Sequence, residues 1–134
     1  MDAEERFRAA EQVLDELLLQ DRPALTGLMI HDQCGRTYNY KNPFLTWCYY
    51  FIRNVQDGTE TRRVSVYVTF MEPPDLEKED LISIETRAEV FQVGKPSRID
   101  KRLESETTLE NFRRTGLAAV LKAAFQTGDA LFHS

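Results

Sequence analysis

The stretch FLTWCYYFIRNVQDGTETRRVSVYVTFM, residues 44–71, places two long apolar-rich segments on either side of Asp57-Gly58. Asp-Gly between such segments is a strong signal for a two-residue hairpin loop, because glycine accepts the positive φ that the turn requires. With that dipeptide as the loop, Gln56 pairs with Thr59 and the register follows by counting outward. Phe51 then lies opposite Val64, Tyr49 opposite Val66, Trp47 opposite Val68 and Leu45 opposite Phe70. This uniformly apolar face is the core face, since a slip of one residue would send every side chain to the other side.

The opposite face holds Phe44, Thr46, Cys48, Tyr50 and Ile52 against Arg63, Ser65, Tyr67, Thr69 and Met71. A third strand, Leu81–Val93, divides in the same way, with Ile82, Ile84, Ala88 and Val90 inward and Ser83, Glu85, Arg87 and Glu89 outward. An antiparallel sheet normally leaves one face polar and wet. Aromatic residues mixed with charge are instead the composition of an interface. Seven of the chain's fourteen aromatic residues fall between Tyr38 and Phe51, which concentrates attention here. Phe44, Tyr50, Ile52 and Tyr67 are therefore the candidate contact anchors, with Glu85, Arg87 and Glu89 supplying charge complementarity. Three covers for this face remain open: one of the chain's own helices, a second copy or another protein, or a small ligand held by a curved sheet.

Working outward, residues 3–20 carry Phe7, Ala10, Leu14 and Leu17 at helical spacing, widened by Val13 and Leu18. Acidic Asp2, Glu4 and Glu5 suit the helix N-terminus, and Arg22-Pro23 is expected to end the helix. Leu25–His31 and Arg36–Tyr40 read as a hairpin around Asp32-Gln33-Cys34-Gly35. Phe44–Asn54, Thr61–Met71 and Leu81–Val93 complete about five strands. The connection EPPDLEKED carries five acids against one lysine and reads as a solvated loop, or as a dock for a basic partner. Residues 98–106, RIDKRLESE, fit a short strand or a helical turn equally well. Thr107 and Glu110 form a capping box ahead of Leu109, Phe112, Leu117, Val120, Leu121, Ala124 and Phe125, with Gly116 inside the helix and Gly128 as its stop. The expected fold is one α+β domain spanning residues 1–134: an N-terminal helix, an antiparallel meander of about five strands, and a C-terminal helix packed on the sheet.

Bulk properties exclude more than they identify. The 134 residues are 42% hydrophobic and 29% charged, with a net charge of −5, an ordinary globular composition. An acidic balance argues against nucleic acid or an anionic membrane as partner, and it is compatible with a basic protein. The longest apolar run, Trp47 to Ile52, is far short of the roughly 20 residues that span a bilayer. The charged start and two isolated cysteines, Cys34 and Cys48, lead to the expectation of a cytoplasmic protein with reduced thiols.

Reactive chemistry finds little support. His31, Asp32 and Cys34 are the only cluster of catalytic types, yet their spacing lies in an expected turn with nothing to lower the thiol pKa. His31, Cys34, Cys48 and His133 lack the paired spacing of a closed zinc site. No phosphate loop, dinucleotide fingerprint or nucleophile elbow is present. No catalytic residue, metal or cofactor is assigned. In size, acidity and terminal helices the chain resembles small bacterial binding proteins such as secretion chaperones and toxin-neutralising immunity proteins. Secretion chaperones, however, carry a helix between strands that has no counterpart here. The expected function is non-enzymatic, stoichiometric capture of a protein partner, with a homodimer also compatible. The alternative is a ligand-binding or enzymatic domain with an aromatic pocket on a curved sheet, which requires a bulge or glycine in the long strands.

Overall fold

The computed structural model describes residues 3–28, 33–39, 46–71, 79–96 and 100–132. Two helices, α1 (Ala3–Gln20) and α2 (Arg22–Leu28), precede five strands: β1 (Gln33–Asn39), β2 (Thr46–Asp57), β3 (Glu60–Met71), β4 (Leu81–Gln92) and β5 (Asp100–Thr108). Helices α3 (Leu109–Thr115) and α4 (Leu117–Leu131) follow. The strands form one antiparallel sheet in the order β1-β2-β3-β4-β5, each paired with its neighbour in sequence. This is the α+β meander expected from the periodicities, with helices at both ends of the chain.

The central hairpin turns one residue later than Asp-Gly implies. Asp57 pairs with Glu60, so Gly58-Thr59 is the loop and Gly58 takes φ 63 at its first position. Gln56 and Thr61 brace the turn: Gln56 Nε2 donates to the Gly58 carbonyl at 3.1 Å, and Thr61 Oγ1 donates to Gln56 Oε1 at 2.8 Å. Every partner moves by two, giving Phe51 opposite Val66, Tyr49 opposite Val68 and Trp47 opposite Phe70. An even shift preserves parity, so the inward and outward sets are unchanged.

The inward set is the core. Tyr49, Phe51, Val64, Val66, Val68, Phe70 and Ile82 are buried in one cluster with Phe7, Ala10, Leu14 and Leu17 of α1. Leu25 of α2, Phe112 of α3, and Leu117, Leu121, Ala124 and Phe125 of α4 complete it. All four helices thus contribute to one layer against one sheet face. Each fully buried large apolar side chain is worth about 1.5–3 kcal/mol in transfer free energy, before the entropy of ordering it is subtracted. Arg6 ties the layer to the sheet, donating from Nη2 to Asp80 Oδ1 at 2.6 Å just before β4. Arg53 does the same for α4: its guanidinium lies 4.9 Å from the Phe125 ring centroid and donates to Asp129 at 2.5 Å.

The first helix ends at Gln20, ahead of Arg22-Pro23 as expected, but a second helix begins at once: Pro23 sits in the first turn of α2, where its missing N–H leaves no helical bond unmade. The strand expected from Leu25 is therefore helical to Leu28, with Leu25 buried, while residues 29–32 lie outside the described residues. Gln33, Cys34 and Gly35 belong to β1 rather than to a turn. The ambiguous segment after residue 98 supplies the fifth strand, β5.

The two C-terminal glycines exchange roles. Gly116, at φ 90, separates α3 from α4 instead of lying within one helix. Thr108, not Thr107, is the N-cap of α3, its Oγ1 accepting from the Asn111 N–H at 3.0 Å. Gly116 offers α4 no side-chain cap, and Asp21 supplies one from the α1–α2 junction, accepting from the Ala118 N–H at 3.0 Å. Gly128 is not a stop: it is buried within α4, directly above Val64 and Thr86.

Candidate functional site

With every helix contributing to the inward core, the outward parity of the strands forms the other side of the molecule. Across β2, β3, β4 and β5 the register sets Tyr50, Tyr67, Glu85 and Glu104 in one row. The adjacent row is Ile52, Ser65, Arg87 and Arg102. The next is Asn54, Arg63, Glu89 and Asp100. Tyr50, Ile52, Tyr67, Glu85, Arg87 and Glu89 are all partly buried and lie within three neighbouring rows of one patch. Phe44, the remaining candidate anchor, lies outside the described residues.

Arginine stacking orders this patch. The Arg87 guanidinium lies 5.3 Å from the Tyr67 ring centroid, and its Nε donates to Glu85 Oε1. The Arg63 guanidinium lies 4.7 Å from the Phe91 ring centroid, and its Nε donates to Asn54 Oδ1 at 2.9 Å. Each stack places a planar cation on an aromatic face, where the ring quadrupole attracts it. Ser65, flanked in its row by Ile52 and Arg87, is only 2% exposed although it faces outward. Phe91 and Arg63 share this patch; the sequence placed Arg63 on the outward face without making it an anchor, and Phe91 was not placed there. The signal was available for Phe91, since the parity carrying Glu85, Arg87 and Glu89 continues to it.

Among the described side chains of this face the thiol is that of Cys48, and its surroundings quiet it. Thr69 Oγ1 donates to Cys48 Sγ at 3.4 Å. Burial pushes the thiol pKa up, the Thr69 hydrogen bond opposes that shift, and the Glu85 charge adds to it. Cys48 therefore stays protonated at neutral pH, and thiolate is the reactive form. In a Cys34→Ser background, iodoacetamide labelling of native protein at mildly alkaline pH is expected to run about tenfold slower than in denaturant. Fast native labelling contradicts this environment. A thiol pKa raised in the folded state also makes its stability contribution fully present below the ordinary thiol pKa and lost as pH rises through the raised value.

Only Glu79 and Asp80 of the acidic connection fall among the described residues. Its residues 72–78 lie outside them, and Asp80 is engaged by Arg6 inside the molecule. The proposed His31-Asp32 component of the turn cluster also lies outside them. Cys34 pairs in register with Phe51 and Cys48 with Thr37, positions of opposite parity. Among the described residues no group of three or more His, Cys, Asp or Glu side chains is placed to hold a metal ion. No helix among them is long and apolar enough to cross a membrane. The chain matches no protein-family model and no curated protein sequence.

Proposed function

We propose that this chain is a non-enzymatic protein-binding domain that captures a partner stoichiometrically through the outward face of β2–β4, in an immunity-protein-like or chaperone-like role. The observation that carries this reading is the pairing of Tyr50 with Tyr67 on the sheet face opposite the helical layer, with Arg87 stacked on Tyr67. Tyrosine and arginine dominate binding hot spots because they bury large area while keeping a polar handle. Arg87 is already held by Glu85 and Tyr67, so its side-chain entropy is largely spent before a partner arrives. The alternating charges of Glu85, Arg87 and Glu89 select for a partner with the reciprocal order. The net charge of −5 favours a basic one through long-range steering.

The pocket alternative finds no matching feature in the long hairpin. Pairing of β2 with β3 runs unbroken from Thr46–Met71 to Asp57–Glu60, with no bulge to curve it.

The test compares wild type with the Tyr50→Ala/Tyr67→Ala variant as bait in extract of the native host, with mass spectrometry of what is retained. Both rings are partly exposed, so the melting temperature is expected to fall by only a few degrees. Affinity for the captured protein is expected to fall about 30-fold or more, the effect of losing hot-spot side chains. Undiminished capture, or global unfolding of the variant, would assign these rings to packing alone.

A further inference from the structure

β5 ends the sheet, and its side chains from Arg102 to Glu106 are all exposed. Its inward parity offers Leu103, which is 49% exposed. A groove of about 500 Å³ runs between β5 and α4, with Leu103 and Ile84 on the sheet side and Val120 and Ala123 on the helix side. An edge strand beside an apolar groove normally pairs with something or is guarded by charge.

The charges of β5 are arranged unusually. On the outward face Arg102 sits directly opposite Arg87, and Glu104 directly opposite Glu85. Like charges facing one another across a strand pair are destabilising. Antiparallel pairing with an identical strand reverses the order of the second β5. With the two-fold axis at Leu103, Arg102 meets Glu104 of the second copy, and Glu104 meets its Arg102. Each like-charged row thereby gains an opposite charge on its free side. On the inward parity the two Leu103 side chains meet, and Lys101 meets Ser105, a small residue. Lys101 itself is held by the Leu131 carbonyl at 3.3 Å. The neighbouring registers that preserve face parity are worse: centring on residue 102 opposes two arginines, and centring on residue 104 opposes two glutamates.

We propose that the chain forms a two-fold symmetric dimer by antiparallel β5–β5 pairing centred on Leu103, making one sheet continuous across both copies. Such an interface is isologous, so each side-chain pair occurs twice. It uses the sheet edge rather than the outward face and stands independently of the capture function.

Light scattering coupled to size exclusion tests it on the full chain. Wild type is expected at about 31 kDa, twice the 15.6 kDa of one chain. Arg102→Glu and Glu104→Arg each turn both ion pairs repulsive and are expected to weaken the dimer about tenfold or more. The double variant Arg102→Glu/Glu104→Arg restores opposite charges and is expected to dimerise again. Mixing the two single variants is expected to give a one-to-one heterodimer, since each then meets its complement. These residues are exposed, and circular dichroism should show all the variants folded. The Tyr50→Ala/Tyr67→Ala variant is expected to dimerise as wild type does. A wild-type monomer at every concentration would overturn the proposal, leaving β5 a charge-guarded edge. A dimer indifferent to both single reversals, or one lost with the tyrosines, would place the interface elsewhere and overturn it too.

Discussion

Gly128→Val is expected to destabilise the protein by about 3 kcal/mol or more, a large share of the roughly 5–15 kcal/mol that holds a typical domain folded. A Cβ at this position would lie 2.4 Å from Val64 Cγ1, 3.1 Å from Val64 Cγ2 and 3.2 Å from Thr86 Cγ2. Val64 is β-branched and buried, so withdrawing its methyl groups means turning a stiff χ1 within a packed core or shifting β3. If the helix lifts instead, the packing of Phe125 in the core opens. Even Gly128→Ala is expected to destabilise, although alanine improves intrinsic helix propensity by about 1 kcal/mol. Combining Gly128→Ala with Val64→Ala removes the clash. Chemical denaturation of the double-mutant cycle is therefore expected to show favourable coupling of about 1–3 kcal/mol. Additive losses would mean that α4 does not rest on Val64.

Phe7→Ala is expected to cost about 3–5 kcal/mol, measured as a lower denaturation midpoint with unchanged slope. Phe7 is fully buried, and its ring centroid lies 6.0 Å from that of Phe70 on β3. It is the point at which α1 joins the same core as the sheet, and the neighbouring Arg6–Asp80 ion pair fixes the approach. A loss below about 1 kcal/mol would mean that α1 is an appendage whose removal leaves the sheet and C-terminal helices intact.

These two sites differ in how visible they were. Phe7 belonged to a helical stripe, Phe7-Ala10-Leu14-Leu17, that periodicity reveals directly, and all four side chains are buried. Gly128 looked like a C-terminal stop because glycine so often is one, and no local pattern distinguishes that role from a tertiary approach. The hairpin illustrates the same limit. Parity of side chains follows from composition alone, whereas the pairing partner depended on whether Gly58 occupies the first or second loop position. β5 stayed ambiguous between strand and helical turn because only Leu103 among its exposed residues is apolar, and a strand outside the helical cover need not alternate hydrophobic with polar. The outward patch was legible as a list of residues. Its order, with Arg87 on Tyr67 and Arg63 on Phe91, required the register across three strands.

The cap that Asp21 places on α4 joins segments 97 residues apart in sequence. The meander between them is built from neighbouring strands and can assemble piece by piece as it leaves the ribosome. Its oily side, however, is roofed partly by α1, synthesised before the sheet, and partly by α3 and α4, synthesised after it. During translation the half-built sheet is thus exposed until the final helix emerges and seats against residue 21. Slowing synthesis just upstream of α4 would prolong that vulnerable interval and increase the demand on chaperones that shield nascent chains.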